Sequence, residues 1–178
     1  MRKLLYLFLL AFVAPIHAQN NRVDVFVGID YFHNGALPKT ASAVPSALRG
    51  SGNMPGLTGE LSINANRWFG FVGDVSFQRS STENLFMLTG GPELSLRVKG
   101  NRFFVHGLIG GAYEAKDLKS VKFGSLSDSS FNAGLGGGLD LGWKHFAFRL
   151  FQADYFYTPV FNTSEQNFRL ATGFVFKL

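Results

Sequence analysis

Eight stretches of this chain alternate apolar and polar residues one by one, and nothing after Asn21 repeats at the 3.6-residue period of a helix. The alternation runs to the very end. In FRLATGFVFKL, residues 168–178, one face carries Phe168, Leu170, Thr172, Phe174, Phe176 and Leu178, and the other carries Arg169, Ala171, Gly173, Val175 and Lys177. Chain ends normally fray, so a pattern kept to the final residue predicts a last strand that is tied down on both sides.

The other seven segments are predicted at 23–32, 57–66, 69–78, 86–98, 103–114, 131–143 and 145–157. Segment 131–143 is the cleanest, with Phe131, Ala133, Leu135, Leu139, Leu141 and Trp143 opposing Asn132, Gly134, Gly136, Gly138, Asp140 and Gly142. In 145–157, Arg149, Gln152 and Asp154 fall out of phase, which a β-bulge near Leu150 to Gln152 would repair. Pro92, after Gly90 and Gly91, removes a ladder hydrogen bond inside the fourth segment, so a second bulge is expected there. Each segment has roughly the 9–11 residues of a tilted membrane strand.

The connections alternate in length. Long ones are read at 34–56, 80–85, 115–130 and 158–166, and tight turns near Arg67-Trp68, Lys99-Asn101 and Lys144. Short periplasmic turns and longer external loops are the habit of outer-membrane barrels, and an even strand count leaves both ends on the periplasmic side. The fold class expected is therefore all-β: an eight-stranded antiparallel up-and-down transmembrane β-barrel.

The start of the chain agrees with export. Arg2 and Lys3 precede the apolar run LLYLFLLAFVAPI and the small residue Ala18, the order of a secretory signal peptide cleaved after Ala18. The run is short of the about 20 apolar residues that a helical span needs. The division expected is a signal peptide at 1–18 and one barrel domain at 19–178. Without Arg2 and Lys3, the 17 basic residues become 15 against 12 acidic, a net charge of +3. The basic residues cluster nowhere, which argues against nucleic acid. The chain has no cysteine, so no disulfide stabilises it, and a sheet closed on itself is the alternative means.

A soluble lipocalin-type barrel also alternates, but it turns its apolar face inward. Here the polar face is rich in Gly, Ser, Thr and Asn with few charges, which suits a crowded interior. The aromatic residues also segregate. Trp68, Trp143, Phe69, Phe103 and Phe146 fall at the tight turns, and Tyr31, Tyr113, Tyr155 and Tyr157 at the other end. Two aromatic girdles belong to a barrel in lipid. The apolar face is expected outside. The near-bare glycine face of the sixth segment leaves room for long side chains such as Arg149, Phe26 or Phe104, so a filled interior without a wide channel follows.

Buried charges need partners. Glu60, Asp74, Glu93, Asp140 and Asp154 are expected to meet Arg97, Arg149 and Arg169 in an interior ionic ladder, with Glu93, Arg97, Asp74 and Arg149 near its middle. Its role is structural pairing in preference to a proton or ion path.

Other motifs carry less. GLGGGL at 134–139 lacks the helix that a nucleotide loop must open. Asn162-Thr163-Ser164 is a sequon without meaning in a bacterial envelope. His33, His106 and His145 have no metal-ligand spacing, and His106 is read as a satisfied interior histidine. Neither metal nor cofactor is expected. Lys39, Arg49, Lys116, Lys119 and Lys122 are read as solvated loop residues, with contact to lipopolysaccharide phosphates as the alternative.

With these features assembled, the chain from Asn20 to Leu178 resembles the small outer-membrane barrels of the OmpA transmembrane-domain and OmpX/Ail type. The resemblance rests on architecture more than on a signature. It implies that Phe168, Leu170, Phe174, Phe176 and Leu178 form the C-terminal signal read by the barrel-assembly machinery; Leu178 departs from the terminal Phe usual in such proteins. It also implies a monomer in contact with outer-membrane lipid and lipopolysaccharide; the periplasmic peptidoglycan-binding domain that follows the barrel in OmpA is not expected after the eighth strand here. A surface ligand, for adhesion or defence, would meet the loops 34–56 and 115–130. An enzyme is the rival. Lipid A deacylases of this size carry a His-x-Ser pair, whereas the histidines here read His33-Asn34-Gly35, His106-Gly107-Leu108 and His145-Phe146-Ala147. Lipid A palmitoyltransferases begin with an amphipathic helix, whereas the first strand here starts almost at the cleavage site. A narrow porin is the third reading.

Overall fold

The computed structural model describes residues 23–34, 53–80, 83–117, 125–143, 145–160 and 163–178. The signal segment, Lys39, Arg49, Lys119, Lys122, Lys144 and the sequon's Asn162 lie outside them.

Eight strands follow in chain order: β1 (Val23–Asn34), β2 (Asn53–Asn64), β3 (Phe69–Arg79), β4 (Glu83–Val98), β5 (Asn101–Asp117), β6 (Ser125–Gly142), β7 (Phe146–Val160) and β8 (Thr163–Lys177). Each pairs antiparallel with the next, and β8 pairs with β1, closing the barrel. Closure leaves no sheet edge, so every strand finds backbone partners on both sides, as a bilayer demands.

The last strand makes the seam. Phe176 lies opposite Val25, Phe174 opposite Val27 and Phe168 opposite His33. The Leu178 amide donates to the Val23 carbonyl at 2.8 Å, so the terminal residue is itself stitched to the first strand.

The tight turns follow from local chemistry. Lys99 and Gly100 both take left-handed φ values, 50° and 89°, and form a two-residue hairpin between Val98 and Asn101. At the β2–β3 turn, the Asn66 side-chain oxygen accepts from the Trp68 and Phe69 amides at 2.8 and 2.9 Å. At the β6–β7 turn, the Trp143 amide donates to the Phe146 carbonyl at 2.8 Å and the two rings stack, 5.0 Å between centroids.

Two expectations are corrected. The connections read as long loops are partly strand: β2 begins at Asn53, β4 at Glu83, β5 runs to Asp117, β6 starts at Ser125, and β7 and β8 reach Val160 and Thr163. Segments 34–56 and 115–130 therefore contribute strand residues as well as connection. Above an apolar belt, paired strands run through polar residues, and no apolar alternation betrays them. Pro92 causes no bulge. The β3–β4 register is unbroken, and the β4–β5 ladder skips Gly91 and Pro92, then resumes in the same register. Pro92 points outward, and Gly91 lets the backbone press against the Gly107 carbonyl where any Cβ would collide.

The β7 irregularity is where the phase break placed it. Registers shift between Arg149 and Gln152 against β8, and beside Leu139 and Asp140 against β6. Leu150 and Phe151 both face outward, at 49% and 48% exposure. Thr172, opposite the extra residue, donates its hydroxyl to the Arg149 carbonyl at 2.8 Å.

Candidate functional site

A barrel has two surfaces, and each strand supplies both through its pleat. The outward set is apolar. Leu61, Phe71, Leu94 and Phe174 are about half exposed and Leu135 is 72% exposed, while Val25 is partly covered. The inward set holds Glu60, Asp74, Glu93, Arg102, His106, Asp140, Arg149, Asp154 and Arg169, none more than 4% exposed. A water-soluble protein with this arrangement would be inside out. The apolar belt fits hydrocarbon as its solvent.

The aromatic residues bracket the belt. Trp68, Trp143, Phe103 and Phe146 are exposed at the tight-turn end, with Phe69 half-buried beside them. Tyr31, Tyr113, Tyr155 and Tyr157 are exposed toward the other end. Of the C-terminal residues, Phe168, Leu170, Phe174, Phe176 and Leu178 all face outward, and Arg169, Ala171 and Val175 are buried inside.

The interior is built around two arginines. Arg149 donates through Nε to Asp140 at 2.8 Å and through Nη1 to Glu60 at 3.0 Å. Its guanidinium lies between the Phe26 and Phe104 rings, 4.1 and 4.3 Å from their centroids. Arg169 grips Asp74 with both terminal nitrogens, at 2.9 and 3.0 Å, and reaches Asp154 through Nε at 2.9 Å. His106 meets Asp154 at 2.8 Å, so it is indeed an interior histidine with a partner.

Space for these side chains comes from β6. A Cβ on Gly136 would run into the Asp154 carboxylate, one on Gly138 into the Phe104 ring, and one on Gly134 into the Phe156 ring. The β7 bulge turns both Arg149 and Gln152 inward, where they hydrogen-bond each other, and Gln152 also donates to Asp154 at 3.0 Å. Were the strand regular across these four residues, one of the two would face lipid.

Strand pairing alone would make two conflicts. Glu60 lies opposite Asp74, and Arg97 opposite Arg102. Like charges in opposed positions repel. Arg149 and Arg169 reach across the lumen to hold one carboxylate each, and Asp24 lies 3.1 Å from Arg97 and 3.5 Å from Arg102. These bridges join residues as far as 95 apart in sequence.

The ladder differs from expectation in one placement and two omissions. Arg97 is not near its middle: it sits toward the tight-turn end, its side chain 29% exposed, on Asp24 and Asn64. The partner of Glu93 is Arg102, which also reaches Asp140 at 3.2 Å. Arg102 and Asp24 were absent from the expected ladder because both lie at strand ends, yet each sits on the inward parity, two residues from Phe104 and Phe26.

A second feature was not anticipated. Phe32, Met54, Val72, Leu85, Met87, Leu108, Ala112 and Phe156 pack into an apolar cluster inside the barrel. Most come from the strand halves away from the tight turns. The larger apolar cluster thus lies toward one end of the lumen, with Asp30 and Glu114 also buried on those strand halves, and a smaller one of Phe26, Ala147, Ala171 and Val175 lies among the ion pairs. Arg149, Arg169, Phe32 and Phe156 are each no more than 1% exposed.

Among solved structures, Ail, the attachment invasion locus protein of Yersinia pestis, matches over 86% of this chain and 98% of its own at 16% identity and a TM-score of 0.55. Neisserial surface protein A matches over 86% and 97% at 13% identity and a TM-score of 0.62. By fold, the chain is an eight-stranded closed barrel of the kind these outer-membrane proteins share. The N-terminal β-barrel domain of OprF from Pseudomonas aeruginosa adds a third likeness, over 89% of this chain and 100% of its own, at 14% identity and a TM-score of 0.51. No protein-family model and no curated protein matches the barrel by sequence.

Proposed function

We propose that the barrel is a monomeric, non-enzymatic integral protein of the bacterial outer membrane, with structural and surface-contact duties and no open pore. The observation that carries this reading is the reversal of surfaces: a half-exposed apolar belt around a lumen filled by Arg149, Arg169, Phe32 and Phe156. In this reading, the tight turns face the periplasm, and the residues from Phe168 to Leu178 are what the barrel-assembly machinery engages.

The surface-contact part rests on the hairpins at the other end. A related fold, Ail of Yersinia pestis, has been crystallised with the heparin analogue sucrose octasulfate. Lys39, Arg49, Lys116, Lys119 and Lys122 fall in the sequence segments 34–56 and 115–130 that link the strands of those hairpins, so polyanionic carbohydrate, lipopolysaccharide included, is the ligand class their charge fits.

The test is a gel of boiled and unboiled membrane fractions with planar-bilayer recording of the purified protein. A folded barrel migrates differently in the two lanes and passes no steady current. Recovery outside the membrane pellet overturns the membrane reading, and steady single-channel steps overturn the closed lumen. Altered acyl chains after incubation with lipid A would establish an enzyme instead.

A further inference from the structure

The lipid-facing surface is not evenly filled. Near the tight-turn end a depression of about 340 Å³ lies over β4 and β5, walled by Trp68, Leu94, Leu96, Phe103 and Val105, with no charged side chain in its lining. Trp68 is held there by its backbone, since its carbonyl accepts from the Ser95 amide at 2.7 Å. The Arg67 guanidinium sits over the Trp68 ring, 4.7 Å from its centroid.

The charges around this rim have one sign. Arg67 and Lys99 are exposed, on the β2–β3 turn and on the turn joining the two strands beneath the depression. The acids of that end, Asp24, Glu93 and Asp140, are all buried in the lumen and engaged with Arg97, Arg102 or Arg149. An apolar slot beneath two exposed cations, at aromatic-girdle level, has the layout of a phospholipid: acyl chain below, phosphate above.

We propose that this depression seats an acyl chain of an anionic phospholipid of the periplasmic leaflet, its headgroup phosphate held by Arg67 and Lys99. The inference rests on the membrane reading above. Its ligand is a glycerophospholipid such as phosphatidylglycerol, since lipopolysaccharide would meet the opposite end.

The chain has two tryptophans, so Trp143→Phe leaves Trp68 as a reporter inside the slot. The barrel is reconstituted into phosphatidylcholine vesicles containing an equal fraction of either brominated phosphatidylglycerol or brominated phosphatidylcholine, and Trp68 quenching is compared. A preference of roughly five-fold for phosphatidylglycerol is expected. It should fall to about one with Arg67→Gln and Lys99→Gln together, and persist with Arg67→Lys and Lys99→Arg. The heat-shift gel checks that each variant is folded. Equal quenching by both lipids overturns the seat while leaving the barrel in the bilayer. So does an equal preference at Trp143 in a Trp68→Phe variant, which would report diffuse charge. A preference that survives the double glutamine variant overturns the phosphate assignment. No quenching by either lipid overturns the membrane reading itself.

Discussion

Removing a single guanidinium from this lumen weakens the hold on two carboxylates. Arg149→Ala leaves Glu60 buried without its arginine and Asp140 with Arg102 alone, and breaking a buried ion pair costs about 3–5 kcal/mol. The expected outcome is a large fall in the temperature at which the folded band disappears on gels. Glu93→Gln removes one charge from the Arg102 pair and should cost about 1–3 kcal/mol; unchanged heat stability would deny that the pairing supports the fold. Gly136→Ala tests the third component, space. Its Cβ would meet the Asp154 carboxylate, and overpacking of this kind costs about 1–3 kcal/mol. Residue-level reading of the sequence reached Arg149, Arg169, their four acids and Glu93 through inward parity. It misplaced Arg97, because parity gives the face of a strand and says nothing of depth or of the partner across the lumen.

At the level of elements, β7 and β8 bear the most on assembly. The bulge at Leu150 and Phe151 puts Arg149 and Gln152 on the same side. Inserting one alanine between Ala153 and Asp154, outside the bulge, would swing the half of the strand that carries Asp154 and Phe156 to the wrong face. Urea titration of the variant should show no folded baseline, whereas Leu150→Ala, which keeps the residue count, should fold with a modest loss. The bulge was legible because three polar residues broke an otherwise regular alternation. The missing bulge at Pro92 was not, because proline and glycine announce a ladder defect without saying whether register is lost. Here the defect is two skipped pairs.

For the whole molecule, the reversal of surfaces makes substitution costs depend on side. Leu135 is the most exposed of the described large apolar side chains, at 72%; Leu135→Arg should destabilise the barrel by about 2–4 kcal/mol in bilayers. Unfolding in lipid vesicles would check this, and a cost near zero would mean that Leu135 faces water. The filled lumen makes its own prediction. Met87 and Leu108 belong to the apolar cluster, so Met87→Ala with Leu108→Ala should cost about 4–10 kcal/mol if the two losses add and give current noise in planar bilayers where the parent is silent.

The sequence by itself determined the strand count, the order of neighbours, the closing role of the last strand and which residues share a face. All of these follow from a period of two, turn chemistry and the rule that sequential strands pair, which are local facts. Only the tertiary structure decided which acid meets which arginine, that Asp24 and Arg102 complete the ladder, and that one part of the lumen is apolar. Those outcomes depend on strand stagger and on distances across a closed cylinder. Residues 95 positions apart become partners there, and no local periodicity encodes that separation.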